Sequence, residues 1–288
     1  MAAKEPRQLL KSLLLESGAV AFGVAEAAPV DEETWERFQR WLEGGHHAGM
    51  EYMERWQEIR RDPRLLLDGA KSIVSIAYNY RQPNPWPGLI ATYALGEDYH
   101  KVLRRRLKRV VTTMKAIFGA EWRVCIDSAP ILERYWAEKA GVGKRHPVHG
   151  NIVVDGVGSM VFLAEIITTL EIEQDVVTIG EIEDVSDAGC RRCPTGALQP
   201  GGEIDARKCI NYLTIEKIEP LNEEEVKMKG KAVFGCECCL VSSPENAGDC
   251  PNILPEFFPI PGLGDFLHGE TNDFDLAKSP LSRKFKKH

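Results

Sequence analysis

Apolar residues recur at helical spacing over residues 5–16, and Ser17-Gly18 breaks the pattern before Ala19-Val20-Ala21-Phe22-Gly23-Val24, a run that predicts a buried strand. Asp31 to Leu42 reads as a second helix closed by Gly44-Gly45. The β-branched run Ser72-Ile73-Val74-Ser75-Ile76-Ala77-Tyr78 predicts a central strand, and the Pro-rich segment Gln82 to Gly88 a loop. Ala91 to Leu95 follows as a short strand, and Asp98 caps a long amphipathic helix reaching about Ile117. Arg123 to Ile126 reads as a strand, Pro130 to Lys139 as a helix, and Asn151 to Val154 and Met160 to Ile167 as two more strands. Helices and strands mixed in this way predict an α/β or α+β domain over residues 1–180. Beyond Gly180, Cys, Gly and Pro punctuate the chain and strands thin out, as in a small metal-held module over 181–255; Gly262 to His288 reads as an extended tail, placed at 256–288 in the domain division.

Of the 288 residues, 43% are hydrophobic and 27% charged, the balance of a soluble globular protein. No apolar run approaches the roughly 20 residues that cross a bilayer, and the start of the chain lacks a signal-like apolar segment. A cytoplasmic protein with no membrane partner is expected. Thirty-six Lys and Arg against 43 Asp and Glu leave a net charge of −7, which argues against blanket attraction to nucleic acid. Two basic runs stand out locally, Arg104-Arg105-Arg106-Leu107-Lys108-Arg109 and Arg283-Lys284-Phe285-Lys286-Lys287. Either could be a solvated surface or a set of phosphate contacts.

Seven of the eight cysteines fall between Cys190 and Cys250, and only Cys125 lies outside. In a reducing compartment such clustering indicates bound metal rather than disulfides. Cys193-Pro194-Thr195-Gly196-Ala197-Leu198 has the Cys-Pro that marks a ferredoxin-type ligand leaving its local loop for the other cluster site. The alternative is a zinc site built from the C-x-x-C pairs Cys190/Cys193 and Cys236/Cys239.

Four stretches resemble epoxyqueuosine reductases, the cobalamin-dependent iron–sulfur enzymes of tRNA queuosine modification. They are Tyr93-Ala94-Leu95-Gly96-Glu97-Asp98-Tyr99-His100-Lys101-Val102-Leu103, Asp127-Ser128-Ala129-Pro130-Ile131-Leu132-Glu133-Arg134, the Cys193 to Leu198 run, and Asp205-Ala206-Arg207-Lys208-Cys209-Ile210-Asn211-Tyr212-Leu213-Thr214-Ile215-Glu216. The resemblance covers residues 10–250 and implies an α+β fold, a nitroreductase-like corrinoid-binding domain followed by a bacterial-ferredoxin-like iron–sulfur module. It implies a [4Fe–4S] cluster on Cys193, Cys209, Cys236 and Cys239, cobalamin held beside Asp98, Tyr99 and His100, and Asp127 as proton donor to the oxygen leaving an epoxide. An external one-electron donor such as a flavodoxin or ferredoxin is implied too, with tRNA as substrate. Read without the resemblance, Asp98 is a helix N-cap, His100 a polar residue on the first turn, and Asp127 a cap for the helix after Pro130.

The chain departs from that family where its second cluster would sit. The family's first cysteine run is reduced to Cys190 and Cys193, and Gly235-Cys236-Glu237-Cys238-Cys239-Leu240-Val241-Ser242-Ser243-Pro244 carries Ser243 at the last ligand position. Cys190, Cys238 and Cys250 are left over, able to hold a labile or three-iron cluster or to stay idle. The family's helical repeats after the module have no counterpart. Two histidines, His146 and His149, occupy a loop that departs from the family; two imidazoles alone make an incomplete metal site, and exposed loop positions are expected for them.

Overall fold

In a computed structural model, the described residues are 5–175, 193–247, 251–270 and 274–282. Cys190, Cys250 and the basic run from Arg283 to Lys287 lie outside them. The first part of the chain comprises α1 (Pro6–Glu16), β1 (Ala21–Glu26), α2 (Glu32–Glu43), α3 (Gln57–Arg61), β2 (Ser72–Asn79), α4 (Tyr99–Phe118), β3 (Trp122–Cys125), α5 (Glu133–Lys139), β4 (Lys144–Arg145), β5 (Ile152–Val153) and β6 (Val161–Thr168). There follow β7 (Leu198–Gln199), β8 (Glu203–Ile204), α6 (Glu223–Lys229), α7 (Cys238–Val241) and α8 (Leu263–His268).

Four strands form an antiparallel sheet in the order β1-β2-β6-β3. All eight residues of β2 are buried, because the strand is central and covered on both faces. Alternation sorts its side chains. Val74, Ile76 and Tyr78, with Phe162, Ala164 and Ile166 of β6, meet Leu10 and Leu14 of α1 and Leu103, Leu107 and Met114 of α4. Ile73 and Ala77, with Ile167, meet Trp136 and Ala137 of α5 on the other face. The result is a helix, sheet, helix sandwich.

Helix α4 starts where Asp98 accepts the His100 backbone N–H at 3.0 Å, and it ends at Gly119 in the left-handed region. Its basic run is divided. Arg106 binds Glu256 with Nη2 at 2.8 Å from both carboxylate oxygens, and Arg105 also reaches Glu256, while Arg104, Lys108 and Arg109 face solvent.

Three expectations are corrected. Ala91 to Leu95 is no strand: Thr92–Ala94 forms a 3-10 turn, and the Thr92 N–H donates at 2.8 Å to Glu237 of the cysteine module instead of to a ladder. Helix α5 begins at Glu133 rather than Pro130, since residues 128–132 make the turn that brings the chain off β3. The C-terminal segment is not an extended tail. Leu263, Phe274 and Leu281 are buried against Ile90, Ala94, Leu95 and Phe234, and Phe257 enters the main core. The strap lies so close that a Cβ on Gly96 would stand 2.4 Å from the Glu256 carbonyl oxygen.

Candidate functional site

Strand β3 runs out at Cys125, and Asp127 then takes φ +54°, a left-handed conformation that aspartate tolerates better than most residues. That turn brings the half-exposed Asp127 carboxylate to His100, with Oδ2 2.8 Å from His100 Nε2. His100 is buried, and its Nδ1 lies 2.8 Å from Oδ1 of the equally buried Asp98. Asp98 Oδ1 already accepts the His100 backbone N–H, so it acts as an acceptor, and the ring proton on Nδ1 points to it. A neutral His100 then turns a lone pair from Nε2 toward Asp127. A proton carried by the half-exposed Asp127 would donate to that lone pair.

The Asp127 backbone N–H donates at 2.7 Å to Glu133 Oε1, on the first turn of α5. Burial and the Asp127 charge push the Glu133 carboxyl up to about 7. Further in, Glu165 lies wholly buried in the sheet, and desolvation with the nearby Glu133 holds it well above the ordinary carboxylate range. A carboxyl raised when folded is favourable to stability in its protonated form, present below about 4.5 and lost as pH rises through about 7. Glu133→Gln, which keeps the oxygen that accepts the Asp127 N–H, is therefore expected to be more resistant to urea than the parent at pH 8. That gain should shrink toward pH 4.5; a gain equal at both pH values would remove the electrostatic explanation.

Asp127 and Glu133 stand at the rim of a cleft floored by Tyr80, Tyr99 and Phe162, with Ile152, Val161, Leu163 and Leu240 adding apolar surface. Tyr99 stacks on Phe162 with centroids 4.3 Å apart and planes 8° apart, and packs against the His100 ring on its other side. Tyr99 and Asp127 thus line the cleft, whereas Asp98 and His100 stand behind Asp127.

The cysteine module borders the same cleft. Cys193, Cys209 and Cys239 lie near enough for each to feel the others' charge, and Arg134, on the cleft wall, faces Cys209 and Cys239. Burial and the two neighbouring sulfurs push the Cys239 thiol up to about 12, so thiolates would persist together here only around a cation. Cys193 Sγ accepts the Ala197 N–H at 3.3 Å, the type of backbone donation that tunes cluster sulfurs. Cys236 shares a sulfur hydrogen bond with Cys238, and Asn211 Oδ1 receives both the Cys236 N–H and the Tyr93 hydroxyl, linking the loops of Cys209 and Cys236. This donor set fits an iron–sulfur cluster better than the zinc alternative, because Cys209, outside either C-x-x-C pair, sits inside the thiol group.

His146 and His149, expected on an exposed loop, are buried, at 5% and 1% exposure. Glu133, Arg134, Tyr80 and Phe162 were not singled out by sequence patterns. For the first two a signal existed, since they close the stretch that begins at Asp127 and open α5.

The chain is similar to known proteins in sequence and in fold. A family model described as epoxyqueuosine reductase QueG matches residues 60–128, and a 4Fe-4S double cluster binding domain matches residues 189–246. An epoxyqueuosine reductase of Leadbetterella byssophila is 37% identical over 287 residues, covering 96% of this chain and 91% of that protein. A crystal structure of epoxyqueuosine reductase with an epoxyqueuosine-modified tRNA-Tyr stem loop superposes with TM-score 0.79 at 30% identity, over 90% of this chain and 70% of that one. The Bacillus subtilis enzyme, solved with its catalytic aspartate loop swung out of the active site, gives TM-score 0.77 at 29% identity, over 90% and 70% of the two chains. A mixed helix and sheet fold joined to a 4Fe-4S binding domain is thereby shared with these structures, and the chain belongs to the epoxyqueuosine reductase family.

Proposed function

We propose that this protein reduces the epoxide of epoxyqueuosine in tRNA, with Asp127 delivering a proton to the departing oxygen. The observation that carries the reading is the Asp98, His100, Asp127 chain, which ends on an aromatic cleft whose wall residue Arg134 lies within charge reach of Cys209 and Cys239. Converting an epoxide to an alkene takes two electrons and two protons and releases water. When bound, the cluster supplies single electrons and cobalamin a strongly reduced metal for the carbon–oxygen bond, the part of the chemistry that protein side chains cannot perform.

Cys193, Cys209, Cys236 and Cys239 would hold the cluster. The shelf of Tyr80, Tyr99, Phe162 and Leu240 would take the apolar face of a corrin, with Asn151, Ser159 and Arg134 as the polar groups of the cleft that could meet its amide fringe. Asp98 fixes the His100 tautomer, and the His100 Nε2 lone pair holds the proton of Asp127 in place for delivery. Glu133, raised toward neutrality, is the adjacent group able to replace that proton. In this reading residues 1–180 are the nitroreductase-like corrinoid-binding domain and 181–255 the ferredoxin-like module, with the C-terminal strap tied to both. A flavodoxin or ferredoxin supplies the electrons, and the exposed Arg104, Lys108 and Arg109 offer phosphate contacts to tRNA. Among the described residues no helix is long and apolar enough to cross a membrane.

The test is anaerobic. Cobalamin added to the iron-loaded protein should change the corrinoid spectrum at micromolar concentrations, and the reduced protein should convert an epoxyqueuosine anticodon stem-loop to queuosine. An unchanged spectrum well above a micromolar affinity, with folded protein, would falsify the corrinoid site. No conversion under strong reduction would refute the activity.

A further inference from the structure

The family model that matches this module is a double-cluster one, yet the residues do not fit a second cluster. Of eight cysteines, Cys125 is a strand residue at 1% exposure inside the sheet core, and four form the site beside the cleft. Only Cys190, Cys238 and Cys250 remain, too few for the four thiolates of a cubane. The position of the family's last ligand holds Ser243, 5% exposed, whose hydroxyl donates at 2.7 Å to Glu245 Oε2.

Around that serine the space is filled by hydrogen bonds. Glu245 Oε1 accepts from His149 Nε2 at 3.0 Å and from the Ser159 hydroxyl at 3.2 Å. Asn246 Oδ1 accepts the Ser159 N–H at 2.9 Å, and its Nδ2 donates to the Ser159 hydroxyl and the Leu240 carbonyl. Gly158 is required there, since a Cβ would lie 2.3 Å from Asn246 Oδ1. Burial pushes the Glu245 carboxyl up, but donation from His149 and Ser243 outweighs it and holds the group at about 2.

His146, His149 and Glu245 also bring ligand-type atoms within 4.8 Å of one another, the spacing of a cation site. Two features speak against one. The imidazoles are stacked 3.9 Å apart with planes 8° apart, so no single ion can lie in both ring planes. Each Nδ1 accepts a backbone N–H, from Val148 and from Asn151, which leaves the proton on Nε2 where a metal would need a lone pair.

We propose that the His149, Ser159, Ser243 and Glu245 network takes the place of the second cluster as the clamp between the 146–159 loop and the module. The protein then carries one cluster, at the four cysteines assigned above, and its electron donor reduces that cluster with no second one as relay. The single-cluster part rests on the proposed function only for the identity of those ligands.

The full chain, reconstituted anaerobically, should hold about four iron and four sulfide per chain, where two clusters would give about eight. Reduced protein should show one paramagnetic signal without coupling to a second centre. A variant combining Cys190→Ser, Cys238→Ser and Cys250→Ser should keep its full iron. Glu245→Ala should lower the thermal midpoint with iron per chain unchanged, while Glu245→Gln, able to keep part of the network, should lower it less. About eight iron per chain, or loss of iron from the triple variant, overturns the single-cluster inference. Midpoints unmoved in both Glu245 variants overturn the clamp. Neither reading needs substrate, so failure to reduce epoxyqueuosine would count against the activity alone.

Discussion

Asp127→Asn is expected to lower turnover of an epoxyqueuosine stem-loop by about a hundredfold or more, the contribution usual for a positioned general acid. The substitution is nearly isosteric, and asparagine tolerates the φ of +54° that places the side chain. Its amide can still meet His100 Nε2, and the backbone N–H to Glu133 at 2.7 Å is untouched. Fold, iron content and the spectral response to cobalamin should therefore stay near those of the parent. What the amide cannot do is release a proton to an oxygen. A role limited to shaping the turn after β3 predicts a small loss of stability and unchanged turnover, so the two readings separate in one measurement. Conversion at the parent rate would make Asp127 a structural residue and move the proton source to Glu133 or to water.

Local pattern carried far along this chain, and failed where partners come from a distance. The β-branched run at Ser72 reported its strand because all eight positions are buried, and α4 was legible from its cap at Asp98 and its apolar stripe of Val102, Leu103, Leu107, Val110 and Met114. Ala91 to Leu95 has the composition of a strand, but its backbone is claimed by Phe234 and Glu237, more than 140 residues along. The segment after Gly262 is sparse in long apolar runs, yet single residues such as Leu263, Phe274 and Leu281 plug one cluster, a contribution no periodicity reveals. The same holds for the site. The cysteines stood out by their clustering, while their ligand set, Asp127 and Tyr99 came through resemblance. Asp98 and His100 took on meaning only when β3 brought Asp127 to them across 27 positions. His146 and His149 read as surface residues because Glu245, the partner of His149, lies almost a hundred residues later.

Cys239→Ala should remove the iron and the broad visible absorbance that accompanies it, and lower the thermal stability of the module. Cys239 is grouped with Cys193 and Cys209 in charge contact, and it stands on α7 beside Leu240, which lines the cleft. Loss of one thiolate of four leaves a cluster iron open to solvent, and free energy of metal binding is folding free energy in a module with so few strands. The only regular pairing there among the described residues is the two-residue ladder of β7 and β8, so the loops of Cys209 and Cys236 depend on side-chain links such as Asn211. Cys125→Ala, a truncation in the sheet core far from these loops in sequence, should cost some stability while leaving iron and colour intact. The pair of variants distinguishes loss of a ligand from general loosening of the protein. If Cys239→Ala retains parental iron and absorbance, Cys239 is not a ligand, and the four-thiolate site beside the cleft has to be assigned again from Cys238 and the cysteines outside the described residues.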